Sequence, residues 1–211
     1  KRVFERVSTY DRTRVYGGPG TGKTVLACSL ARKLNDENKK VLFLVFNRRL
    51  EQKIKKELDD VSGVTVKRFY ALCGEAATRL NVQFRDEENW YAEAVNHLSL
   101  AFQKKLLPNY DVLIIDEGQV FHSGWYLILK SWIPKIHVFC DETQAFSFEE
   151  KLSNSEIGEL IEEEQSFLLT VNMRSPKPVF DRIEASIPTS YQQYSPRQLE
   201  HDTLEEKVTS D

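Results

Sequence analysis

The chain has 211 residues, 41% hydrophobic and 29% charged, with 29 Lys and Arg against 32 Asp and Glu for a formal net charge of −3. That balance belongs to a folded domain, without the basic excess of a protein that coats nucleic acid, and no run reaches the roughly 18 apolar residues of a membrane span. The opening KRVFERVSTYDR lacks the apolar core of a secretory signal, and Cys28, Cys73 and Cys140 are too scattered for a disulfide framework or a CxxC metal site. They read as buried thiols in a reducing, cytoplasmic compartment. A chain that opens on Lys1 and holds one methionine, Met173, reads as a segment of a longer protein.

The elements alternate along the chain. RTRVYG (12–17) predicts a short strand running into a glycine loop, and KTVLACSLARKLN predicts a helix with Leu26, Ala27, Leu30, Ala31 and Leu34 on one face. KVLFLVF (40–46) is a continuous apolar, β-rich run, as expected of a strand buried on both faces. NRRLEQKIKKEL follows as a helix with a basic polar face, then VTVKRF as a strand or extended segment and YALCGEAATRL as a helix. Residues 81–108 read as a helical insertion ending at Pro108. DVLIID (111–116) and HVFCD (137–141) are two further strands, each ending in acid, and SFLLTV (166–171) is another. SPKPVFDRIEAS predicts a helix with its prolines near the front. Residues 188–211 are a polar segment or linker, and SPRQLEHDTLEEKVTSD within it stays open between a helix and a linker. Strands separated by helices predict an α/β fold, with a mostly parallel sheet covered on both faces. In such sheets ligands bind at the carboxyl ends of the strands.

The chemistry starts at Gly17-Gly18-Pro19-Gly20-Thr21-Gly22-Lys23-Thr24, a Walker A loop between a strand and an apolar helix. Its glycines let backbone N–H groups turn inward around phosphate oxygens, and the helix aims its positive end at the same anion. Lys23 reaches the outer phosphates and the Thr24 hydroxyl helps hold Mg²⁺. DVLIIDEGQ supplies a strand-end carboxylate, Asp116, for the metal, and beside it Glu117 to polarise an attacking water. Together these residues predict a Mg-ATP hydrolase.

Further stretches carry a family resemblance. GGPGTGKT, VLFLVFNRRLEQKIKKEL, VTVKRFYALC, DEGQVF, VFCDETQAFSF and LLTVNMRSP occur in the order and at the spacing of the superfamily 1 helicase motifs, across about residues 12–180. The chain resembles the UvrD-like type, and DEGQ with FYALC resembles the group often fused to nuclease-related domains. The resemblance implies a RecA-like ATP-binding domain over residues 1–187. A second RecA-like domain would complete the ATP cleft, and single-stranded DNA would be the partner. It implies that Gln144 and Gln119 sense the γ-phosphate and that Arg174 contacts it. Met173 takes the place of a tyrosine that stacks on adenine. It also implies that Asn47, Arg48 and Phe69 lie along the single strand. Phe146 and Phe148 stay open between base stacking and the core, and Arg48 and Arg49 between nucleic-acid contact and a solvated helix face.

Departures from the family pattern are Tyr70 in place of histidine, Val25 in place of arginine, no glutamine motif ahead of the loop, and nothing that resembles motifs V and VI. An RNA-directed motor and an ATP-dependent switch without translocation are the alternative functions.

Overall fold

The computed structural model describes residues 2–83, 90–141 and 152–173. The strands are β1 (Arg12–Gly17), β2 (Val41–Val45), β3 (Val64–Arg68), β4 (Val112–Asp116), β5 (Ile136–Cys140) and β6 (Gln165–Leu169). They form one sheet in the order β3-β2-β4-β5-β1-β6, and every pairing is parallel. The helices are α1 (Arg2–Val7), α2 (Lys23–Asp36), α3 (Arg48–Glu57), α4 (Phe69–Arg79), α5 (Trp90–Gln103), α6 (Ser123–Trp132) and α7 (Asn154–Ile161). This is the expected α/β architecture.

Strand alternation divides the core in two. Val41, Phe43 and Val45 of β2 face Ala27, Leu30, Ala31 and Leu34 of α2 and Ile54 of α3. Leu42 and Leu44 face the opposite layer, with Leu72, Cys73 and Ala76 of α4, Ala94 and Leu98 of α5 and Trp125 and Leu129 of α6. All five residues of β2, β4 and β5 are buried, as a strand covered on both faces must be. Within the span 81–108, helix α5 contributes Ala94, Leu98 and Ala101 to the second layer, each fully buried.

Helices α1, α6 and α7 were not among the sequence expectations. For α7 a signal was present. Ser153 accepts from the Glu156 N–H while the Glu156 carboxylate accepts from the Ser153 N–H, the reciprocal cap of the S-x-x-E pattern. Helix α6 carries three aromatics, two serines, Gly124 and Ile128, which are poor helix formers. Burial of Trp125, Tyr126 and Leu129 outweighs that preference.

The three thiols are buried, and burial pushes each up to about 12. Among the described residues, no helix is long and apolar enough to cross a membrane.

His137 lies between β1 and β4 in the sheet, buried, with Nδ1 2.8 Å from the Thr13 hydroxyl. Burial lowers its imidazole to about 4, so the unfolded chain, titrating near 6.5, takes up the proton first. Stability is therefore unimpaired above about pH 6.5 and lost as pH falls toward 4, by up to roughly 3 kcal/mol. Asp116 shifts the opposite way, up to about 6, but is common to both proteins in a comparison of variants. Urea unfolding in EDTA should show His137→Gln gaining on the wild type by about that amount between pH 7 and pH 4. An unchanged difference would contradict the buried neutral imidazole.

Candidate nucleotide site

Three neighbouring strands, β4, β5 and β1, end at one edge of the sheet, where β4 and β5 deliver Asp116 and Asp141 and β1 delivers the glycine loop. From β1 the chain enters the glycine loop. Gly20 and Gly22 have φ of 81° and 89°, the left-handed region that a side chain rarely adopts. Gly17 is required for a different reason: a Cβ there would lie 2.4 Å from the Leu169 carbonyl oxygen of adjacent β6. Gly22 starts α2 without a side-chain cap. The first N–H groups of a helix have no partner inside it, which here leaves them directed to the loop.

Lys23 is folded into that loop and is 7% exposed. Its ammonium donates to the Gly17 carbonyl at 2.6 Å, the Gly18 carbonyl at 2.8 Å and Asp141 Oδ2 at 3.0 Å. The next residue, Thr24, donates from its hydroxyl to Asp116 Oδ2 at 2.7 Å. Asp116 Oδ1 accepts from the Glu117 N–H at 3.1 Å. Gln119 donates to Glu117 Oε2 at 2.6 Å and accepts from the Asp141 N–H at 2.9 Å. The bonds thus return to Lys23 through Asp141, a closed circuit across the loop and two strand ends.

Glu117 sits at φ 58°, ψ 43°. Left-handed backbone in a non-glycine residue is sparsely populated and concentrates at functional sites. The turn is tight underneath as well. Gly118 admits no side chain, since a Cβ would meet Val138 Cγ1 at 2.4 Å, and its carbonyl accepts from the Tyr126 hydroxyl at 2.8 Å.

Asp116 is fully buried. Burial, joined by the neighbouring Glu117 charge, pushes its carboxyl up to about 6 against the Thr24 hydrogen bond. A buried carboxylate beside a threonine hydroxyl is an all-oxygen donor pair of the kind Mg²⁺ takes, together with phosphate oxygens and water. Thr24 and Asp116 therefore fit the metal.

The circuit unites Lys23, Thr24, Asp116, Glu117 and Gln119 from the sequence prediction, with Gly17, Gly18, Pro19, Gly20, Thr21 and Gly22 forming the loop. Thr21 ties the loop internally, donating to the Gly18 carbonyl at 2.8 Å. Met173 stands at the rim, 75% exposed, its N–H donating to the Gly20 carbonyl at 2.9 Å. Two participants were not predicted as site residues. Asp141 closes the circuit, and Asn172, fully buried, donates to the Pro19 carbonyl at 2.9 Å. Both lay inside quoted motifs, and the strand-end acid of HVFCD was a usable signal.

Phe69 requires a correction. It is fully buried, stacked on Trp125 at 3.8 Å between centroids with the planes 13° apart. As the first residue of α4 it enters the second core layer, away from any surface a single strand could follow. Asn47 and Arg48 are exposed at the carboxyl end of β2. Asn47 caps α3, accepting from the Leu50 N–H at 2.8 Å. Gln144, Phe146, Phe148, Arg174, the helix expected over 175–186 and the segment 188–211 lie outside the described residues.

The family model described as "Schlafen group 3, DNA/RNA helicase domain" matches residues 13–179. No curated protein matches the chain. Among solved structures, arterivirus nonstructural protein 10, a helicase, aligns with a TM-score of 0.53 at 12% identity, over 92% of this chain and 42% of that one. The Pif1 helicase from Candida albicans aligns at 0.52 and 17% identity, over 80% and 38%. The PRRSV helicase aligns at 0.52 and 12%, over 92% and 37%. At such identities the likeness is one of fold alone. The chain spans about two-fifths of the length of these helicases.

Two glycines separate close packing from open space. Gly17→Ala should destabilise the chain by roughly 1–3 kcal/mol, because β1 and β6 must part. Gly74→Ala, on α4 with nothing within 4 Å of its Cβ position, should stabilise by about 0.4–1 kcal/mol. Urea midpoints moving the same way in both variants would contradict the packing at Gly17.

Proposed function

Because this chain belongs to the Schlafen group 3, DNA/RNA helicase domain family, we propose that it is the ATP-binding half of a superfamily 1 motor that couples Mg-ATP hydrolysis to movement on single-stranded DNA. The observation that carries this reading is the convergence of Lys23, Thr24, Asp116, Glu117 and Gln119 in one hydrogen-bonded circuit beside the amino end of α2.

Lys23 and the first turn of α2 hold the outer phosphates. Thr24 and Asp116 would hold Mg²⁺, which when bound would supply positive charge beside the transferred phosphoryl group. Glu117 polarises the attacking water. Gln119, bonded to both Glu117 and the Asp141 backbone, is placed to relay a change at the phosphate to the β5 end. It does so as a neutral group that can exchange partners. The roles of Gln144 and Arg174 at the γ-phosphate, and of Met173 at the base, rest on the motif resemblance.

For the nucleic acid, Asn47 and Arg48 stand exposed on the ligand-binding edge, and Arg49, Lys53 and Lys56 continue the exposed basic face of α3. A few local cations suffice for a single-strand track despite a net charge of −3. The second half of the ATP cleft would come from a second RecA-like domain, in keeping with the share of the related helicases that this chain spans. The UvrD-like branch is a finer reading that rests on the motifs alone, as does a cytoplasmic setting on the buried thiols. The family's description covers DNA and RNA alike, which keeps an RNA-directed motor as the second reading.

ATP hydrolysis by the protein that carries this chain should rise many-fold with single-stranded DNA and vanish in Lys23→Ala. Glu117→Gln should lower kcat by about 10²-fold or more while nucleotide binding persists. Stimulation by RNA alone would select the second reading, and indifference to both nucleic acids would overturn the motor.

A further inference from the structure

A lysine ammonium has three N–H donors, and all three of Lys23 are in use. Two go to carbonyls of the loop itself. The third goes to Asp141, the only charged acceptor of the three, and the pair is nearly dry, with side-chain exposures of 8% and 1%. A phosphate oxygen that reaches this ammonium must take one of those places. The carbonyls of Gly17 and Gly18 belong to the strand end and to the loop that would cradle the phosphate. Asp141 carries the same sign of charge as the ligand, and two anions do not share one buried cation without mutual destabilisation.

We infer that the Asp141 carboxylate is a stand-in for a nucleotide phosphate: it neutralises Lys23 until the outer phosphates of ATP arrive and is then exchanged for them. The inference rests on the nucleotide reading of the site. The exchange also has a route to the catalytic group. The Asp141 N–H is held by Gln119 Oε1, and Gln119 Nε2 is held by Glu117. Release of the carboxylate therefore acts on the backbone that orients Gln119 and, through it, Glu117. Asp141 is a positioning residue that links arrival of the phosphate to the aim of the water-polarising carboxylate.

Asp141→Asn keeps the side-chain volume and removes the competing charge. In the full chain, binding of a non-hydrolysable ATP analogue with Mg²⁺ should tighten by about fivefold or more. Thermal stability without nucleotide should fall, because Lys23 loses its counter-charge, and should fall far less when Lys23 is already Ala. A purely structural aspartate would give the stability loss without the tighter binding. In hydrolysis, KM and kcat should drop together, because binding is relieved while arrival of the phosphate no longer displaces a carboxylate and so no longer moves the backbone that orients Gln119 and Glu117. Asp141→Ser carries the same comparison if the asparagine variant does not fold. Equal or weaker analogue binding by the variant overturns the exchange. A wild-type chain that binds no analogue overturns the nucleotide reading itself, which is a separate result.

Discussion

The Lys23 ammonium is a full charge held almost entirely out of water, and the surrounding architecture supplies what that charge requires. A buried cation is tolerated only when it is paired and hydrogen-bonded. Two of its acceptors are local, the carbonyls at the start of the glycine loop. The third, Asp141, is 118 residues away in sequence. The parallel register of β1 on β5, with Tyr16 opposite Cys140, brings it within reach. The register of β4 on β5, with Asp116 opposite Phe139, brings the Thr24 partner to the same edge. The site is thus a property of strand alignment before it is a property of any loop.

That alignment is held from both sides. Each central strand sends alternate residues into two separate apolar layers, so a one-residue slip would reverse every side chain. Phe43 would leave the α2 layer and Leu44 the α6 layer. Small residues then set the close approaches. Gly17 lets β6 come against the root of the loop, and Gly118 lets Tyr126 and Val138 close beneath Glu117. The left-handed backbone at Glu117 is the local consequence of ending a buried strand in two carboxylates and turning at once. Packing below and hydrogen bonds above over-determine the turn.

The motif series carried the class of the protein more firmly than its branch. A Walker A loop, a strand-end Asp-Glu pair and downstream glutamine and arginine motifs had read as answers to one chemical problem, holding Mg-ATP and reporting its state. The solved helicases that share the fold do so at only 12–17% identity. The family match names the Schlafen group 3 helicase domain, whereas the motifs had read as UvrD-like.

Much of this was legible in the residues alone, because it depends on local chemistry. Glycines at left-handed positions, a lysine and threonine opening an apolar helix, and unbroken β-rich runs ending in acid each carry their meaning within a few positions. The strands β2, β4 and β5 and the pairing of Lys23, Thr24 and Asp116 in one site followed from that. What sequence could not decide was which distant groups meet. Phe69 read as a residue along the single strand, and only the position of α6, itself hidden by weak helix formers, turns it under Trp125. Asp141 read as the end of a strand, and only the β1–β5 register makes it the counter-charge of Lys23. Asn172 gained its role from the passage of the chain beyond β6 beside the loop. Local conformational preference is written in adjacent residues, whereas a buried charge finds its partner through the sheet, and that partner is fixed only when the strands are in register.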